Sequence, residues 1–160
     1  MRFLQRVLVA LLLLGSMHWS AEAAEKQKYF FIVLSNPVKG MEAEYNKWYN
    51  TQHIYDLLHI EGFVAAQRFV LSDDQLAPRN TVLTPEQFAA KHPDKYLIIW
   101  EIETDDLPGV FARIRKGLDT GTTVSSPAFD GPSYVNHTFM QLSKRFTAAD
   151  LPELSKQLGK

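Results

Sequence analysis

One histidine in the chain has neighbours of the right types, at the right spacing, to do proton chemistry. His53 lies four residues after Tyr49 and three before Asp56, separations that bring the three side chains to one side of a helix. A neutral imidazole with an ordinary pKa can take or give a proton near neutral pH with little driving force, and a carboxylate beside it can orient it and stabilise its charged form. A structural role fits the same position, because the dipole at a helix C-terminus favours a charged histidine. Two further polar residues qualify. Asn36, in Ser35-Asn36-Pro37, can be held by the scaffold so that its amide points into a cleft, or can close an Asx-turn. Arg68 is the one charge in the apolar run from Phe63 to Val70. It can hold an anionic group of a ligand, or pair within the protein with Glu44 or Asp56.

Trp48, Tyr49, Trp100 and Tyr134, with Tyr55 and Phe63, are numerous enough to line an aromatic pocket, although aromatic stripes at these spacings also build ordinary core. The remaining mature histidines, His59, His92 and His137, show no pair with metal-ligand spacing, and cysteine is absent, so no metal site is expected. No glycine-rich phosphate loop, nucleophile elbow or Ser-x-x-Lys motif occurs, which leaves nucleotide chemistry and acyl-enzyme catalysis without support.

These residues have to be positioned by few elements. Tyr29 to Leu34 is aromatic and β-branched and stops at Ser35-Asn36-Pro37, the pattern of a strand. From Gly40 to Leu58, Met41, Tyr45, Trp48, Gln52 and Tyr55 recur every three or four residues and predict the face of a helix. A second strand follows Gly62, with Phe63, Ala65, Gln67 and Phe69 on one side and Val64, Ala66, Arg68 and Val70 on the other. The segment of about 72–94 reads as an insertion carrying one short helix from Thr84 to His92. Tyr96 to Ile102 is the third strand. Leu107, Val110, Phe111, Ile114 and Leu118 mark a second long helix capped by Thr104 or Asp105, and Tyr134 to Phe146 a fourth strand. Thr147 caps a short terminal helix of about 148–158. Strand, helix, strand, then strand, helix, strand is the split pattern of an α+β, ferredoxin-like βαββαβ sandwich with an antiparallel sheet. Two helices cover one face of such a sheet, yet the first and third strands are apolar on both, so a second copy packed sheet to sheet is expected. The alternative is that the insertion and terminal helix fold back over that face.

The chain has 160 residues, 46% hydrophobic and 22% charged, with 17 Lys and Arg against 18 Asp and Glu. That composition suits one domain and offers no general attraction for nucleic acid or anionic lipid. Residues 1–23 stand apart: Arg2 and Arg6 precede the apolar run Val7 to Leu14, and Ala21-Glu22-Ala23 follows. This is the pattern of a secretory signal peptide, too short for the ~20 residues that span a bilayer. Cleavage after Ala23 would leave one domain, 24–160, without a membrane segment and directed to the periplasm or outside the cell.

Taken together, Ser35-Asn36-Pro37, Gly40, Glu44, Asn46, Trp48-Tyr49, His53, Asp56, Gly62-Phe63 and Gln67-Arg68-Phe69 resemble the EthD-like group of dimeric α+β barrel proteins. The resemblance covers Asn36 to Phe69. It implies a ferredoxin-like protomer, a homodimer closing a barrel, and a pocket between sheet and helices in each protomer. The functional expectation is a small, cofactor-independent lyase or isomerase in which His53, with Asp56 and Asn36, moves a proton on a small apolar or aromatic substrate bound by Trp48, Tyr49, Arg68, Trp100 and Tyr134. The alternatives are a non-catalytic carrier using the same pocket, or the haem or oxygen chemistry of other barrels that this fold resembles.

Overall fold

The computed structural model describes residues 24–73, 87 and 94–159. The expected signal peptide, and the insertion's helix apart from Gln87, lie outside the described residues.

Four strands form one antiparallel sheet, β1 (Gln27–Ser35), β2 (Phe63–Val70), β3 (Tyr96–Thr104) and β4 (Val135–Met140). Their order across the sheet is β2-β3-β1-β4, so the two most apolar strands are central. The architecture is mixed α+β. Between β1 and β2 runs a helix in three pieces, α1 (Glu42–Trp48), a π-helical turn (Tyr49–His53) and α2 (Ile54–Leu58). Helix α3 (Leu107–Thr120) follows β3, and α4 (Leu151–Gln157) ends the chain. Among the described residues no helix is long and apolar enough to cross a membrane.

The core lies between the sheet and the helices. Val33 and Ser35 of β1 and Ile98, Trp100, Ile102 and Thr104 of β3 are buried there, against Tyr45, Tyr49 and Leu57 from the first helix and Val110 from α3. A close approach holds the second helix down. Gly62 has φ +106°, and a Cβ there would come within 2.8 Å of Val110 Cγ2, so the turn into β2 requires glycine on both conformational and steric grounds.

The structure corrects the sequence reading in four places. The first helix does not bury the face Met41, Tyr45, Trp48, Gln52, Tyr55, because Tyr55 is 61% exposed. A π turn bonds i to i+5 and takes up an extra residue, so the inward face becomes Tyr45, Tyr49, His53 and Leu57 at strict intervals of four. In β2 a bulge between Phe63 and Ala65 breaks the alternation. Phe63 therefore buries on the helix side together with Ala66 and Arg68, and packs edge-on to Trp100 at 5.5 Å. The cap of α3 is Asp106, whose carboxylate accepts from the backbone N–H of Gly109 at 2.9 Å, rather than Thr104 or Asp105. Strand β4 stops at Met140. Thr147 caps a 3-10 turn, Ala148–Asp150, in a reciprocal capping box with Asp150, and α4 continues directly from that turn.

Candidate functional site

A cavity of about 320 Å3 opens between the sheet and the first helix, within the range of small-molecule sites. Its floor is Phe31 and Val33 of β1 with Trp100 of β3. One wall is Trp48, Tyr49, His53 and Leu57, another is Ile114 and Leu118 of α3, and the loop residues Val124, Ser125, Phe129 and Gly131 with Tyr134 close the third side. Among the described residues, no Asp, Glu, Lys or Arg lines it.

His53 is fixed in this wall by aromatic packing. Trp48 stacks on it with ring centres 4.5 Å apart, and it meets Tyr49 and Trp100 edge-on at 5.0 and 5.7 Å. The π turn makes this arrangement possible, because it carries Tyr49 and His53 inward where an uninterrupted helix would rotate them away. Nδ1 of the ring is buried without a hydrogen-bond partner. Burial among apolar groups lowers the pKa of His53 to about 4, against the opposing pull of the Asp56 charge and with some help from Arg68. The ring is therefore neutral at pH 7, below the poise that its residue type alone suggests. Nor does it lie at a helix C-terminus, since α2 continues to Leu58 and His59 ends the helix, with Nδ1 against the Tyr55 carbonyl at 2.8 Å.

Asp56 does not orient the imidazole. Its Oδ1 accepts from Gln52 Nε2 at 2.7 Å and its Oδ2 from the backbone N–H of Val124 at 2.8 Å. On the other side of the same residue, Trp48 Nε1 donates to the Val124 carbonyl at 2.8 Å. The long loop after α3 is thus gripped at Val124 by both peptide groups, and Asp56 acts as an anchor for one side of the cavity.

Arg68 and Asn36 lie outside the cavity lining. Arg68 donates to Asn50 Oδ1 at 2.6 Å and to Asn46 Oδ1 at 2.7 Å, and its guanidinium sits 4.6 Å from the ring centre of Tyr49. It pairs with neither Glu44 nor Asp56, because the helix presents two asparagine oxygens where the strand brings it. It supports Tyr49 from behind, while the Tyr45 hydroxyl bonds Ser35 Oγ at 2.8 Å. Desolvation pushes the Tyr49 hydroxyl far above its ordinary range, so it stays protonated. Asn36 joins strand ends: its side chain donates to Asp94 Oδ1 at 3.1 Å and accepts from the Lys95 N–H at 2.9 Å.

Of the aromatic candidates, Trp48, Tyr49, Trp100 and Tyr134 are brought together in the cavity, whereas Tyr55 and Phe63 are not among its lining. Sequence reasoning missed Phe129, Val124, Ile114 and Leu118 as walls. The α3 residues were legible as a helix face, but nothing local tells that Pro37 bridges to Phe129 and folds the loop back. A larger hollow of about 560 Å3 lies beyond Asp56, lined by His59, Arg113, Lys116 and several threonines. Its Thr120 and Thr122 hydroxyls are engaged with carbonyls at the end of α3, which makes it a capped helix terminus rather than a second aromatic site.

No protein-family model matches the chain, and no curated protein matches it in sequence.

Proposed function

We propose that the chain is a small-molecule protein of the dimeric α+β barrel type, in which the cavity around His53 takes a small, uncharged apolar or aromatic molecule and His53 acts on it as a cofactor-independent lyase or isomerase would. The observation that carries this reading is an imidazole packed on Trp48 and Tyr49 in a cavity that no Asp, Glu, Lys or Arg among the described residues lines. Such walls favour planar apolar ligands through burial, at about 25 cal/mol per Å2. A fixed neutral imidazole can polarise an oxygen or shuttle a proton, the role other enzymes give a histidine whose pKa is held down. Arg68 and Asn36 have no part in this chemistry, and Asp56 contributes by holding Val124.

The strand order β2-β3-β1-β4, with both helical connections between strands that flank a third, supports the ferredoxin-like assignment. The homodimer is supported by the sheet's second face, where β1, β3, β2 and β4 contribute Phe30, Ile32, Leu34, Leu97, Ile99, Phe69, Val135 and Phe139 by register. Leu151 and Leu158 at the two ends of helix α4 stay exposed. Light scattering on the mature chain tests the dimer, and a monomer at micromolar concentration would remove the barrel. Export through cleavage after Ala23 is tested by intact mass, with Ala24 as the expected first residue.

Activity is tested by screening small aromatic and apolar compounds by thermal shift, where saturation at a hundred times Kd adds about 2.7 kcal/mol. For a compound that is turned over, His53→Gln should lose roughly 10²–10⁴-fold in kcat while binding changes less. A second reading, a non-catalytic carrier, is favoured by one observation: no carboxylate hydrogen-bonds His53, so the ring has no partner to stabilise a proton that it accepts. Tight binding that survives His53→Gln, with no turnover in either protein, would select the carrier.

A further inference from the structure

The two nitrogens of His53 stand in unequal surroundings. Nδ1 is buried and without a partner, behind a ring packed on Trp48, Tyr49 and Trp100. Asp56, the nearest carboxylate in sequence, makes no hydrogen bond to it and turns its two oxygens to Gln52 and Val124 instead. Among the described residues Nε2 makes no hydrogen bond either, but unlike Nδ1 it is not fully buried, so it is the nitrogen that a molecule in the cavity can reach.

A neutral imidazole carries its one proton on one nitrogen and a lone pair on the other. A proton on Nδ1 would bury an N–H donor with no acceptor, an arrangement folded proteins rarely tolerate; an unmet lone pair is the milder penalty. The proton therefore belongs on Nε2, and the cavity is offered a donor. Of the other polar side chains in its lining, Ser125 and Tyr134 are exposed, Trp48 Nε1 already donates to the Val124 carbonyl, and Tyr49 and Trp100 present mostly ring surface.

We propose that His53 stands as the Nε2–H tautomer and that the cavity selects uncharged aromatic carbonyl compounds, with the carbonyl oxygen accepting from Nε2, over the corresponding alcohols. An alcohol brings a donor of its own that the apolar walls leave unpaired, whereas a carbonyl brings an acceptor alone. The inference rests on the reading of this cavity as a ligand site and names the class of ligand. It also suits the proposed chemistry, since an N–H fixed at a carbonyl oxygen stabilises negative charge that develops there.

The tautomer can be read without any ligand, from the ¹⁵N shifts of the His53 ring in residues 24–160 at pH 7. Nδ1 should give the resonance of an unprotonated nitrogen and Nε2 that of a protonated one. Titration with acetophenone and with 1-phenylethanol should then move the indole signals of Trp48 and Trp100, the ketone binding roughly tenfold more tightly. In His53→Phe, which keeps a ring against Trp48 but has no N–H, the two compounds should bind about equally. A protonated Nδ1, or equal or inverted affinities in the unaltered protein, would overturn the inference while leaving the cavity reading in place. Failure of both compounds to move either indole signal would overturn the cavity reading itself, and the ligand class with it.

Discussion

The two faces of the sheet are built from the same four strands and end in different states. Towards the helices, Ile98, Trp100 and Ile102 are fully enclosed, and the layer is complete except where the cavity interrupts it. On the other side, Ile32, Leu34, Leu97 and Ile99 are only half-buried, and Phe139 is 54% exposed. Both central strands are apolar on each side at their middles, while the outer side also carries the ion pair of Lys28 with Glu101 near one end. What differs is who supplies the covering layer. The chain's own helices finish one face, so side chains there govern folding. If, as proposed, a second copy finishes the other face, side chains there should govern assembly and leave the protomer's fold largely intact.

The largest effect separating the faces is expected from Trp100→Ala. It removes the central fully buried side chain on the helix side and should cost about 3–5 kcal/mol, read as a lower denaturant midpoint together with loss of the cavity. If that variant kept wild-type stability, the enclosed face would not be the folding core.

Acid should weaken the closed face specifically. The pKa of His53 is about 4 in the folded protein against 6.5 for an ordinary histidine, so between these values the unfolded chain binds more protons. Stability then rises with pH across that window: it is fully present above 6.5, is lost as pH falls towards 4, and the loss levels off below. The interval corresponds to about 3 kcal/mol for this residue alone. Urea unfolding from pH 4 to 7 should show a shallower slope in His53→Phe than in the unaltered protein. Parallel slopes would mean that the imidazole is more hydrated than its packing indicates.

Phe139→Glu probes the open face. If two copies bury it, a charge at its exposed aromatic should weaken association by about 2 kcal/mol or more, roughly thirtyfold, with little change in the unfolding of the separated protomer. Sedimentation at several concentrations distinguishes this from a protein in which the variant changes neither size nor stability.

The smallest expected effect sits where the closed face meets the loop. Asp56→Asn keeps one acceptor oxygen but cannot accept from both Gln52 and Val124, and should cost about 1 kcal/mol. Amide exchange at Val124 should accelerate while exchange in β3 stays as it was. Equal acceleration in both would show that Asp56 supports the whole core rather than one side of the cavity.

Several features were determined by the sequence alone. The strands and long helices follow from hydrophobic period, and the order of elements from their succession; Thr147 marks the start of the last helical segment. Trp48, Tyr49, His53, Trp100 and Tyr134 could be named as candidates by type, because few other residues combine an apolar body with a polar handle. Their assembly was decided by tertiary structure. A π turn cannot be read from a period of 3.6, yet it is what turns Tyr49 and His53 inward together. The bulge that buries Phe63 depends on pairing with β3, not on the sequence of β2. Asp56 and Arg68 looked like partners of His53 and of a carboxylate from spacing and charge. Instead, Val124, sixty-eight residues further on, takes one oxygen of Asp56, and two asparagines take Arg68. Hydrogen bonds of short polar groups go to whatever the fold brings within 3 Å, and a one-dimensional pattern carries no record of that. The depressed basicity of His53 has the same origin, because desolvation is a property of the packed surroundings and not of the residue.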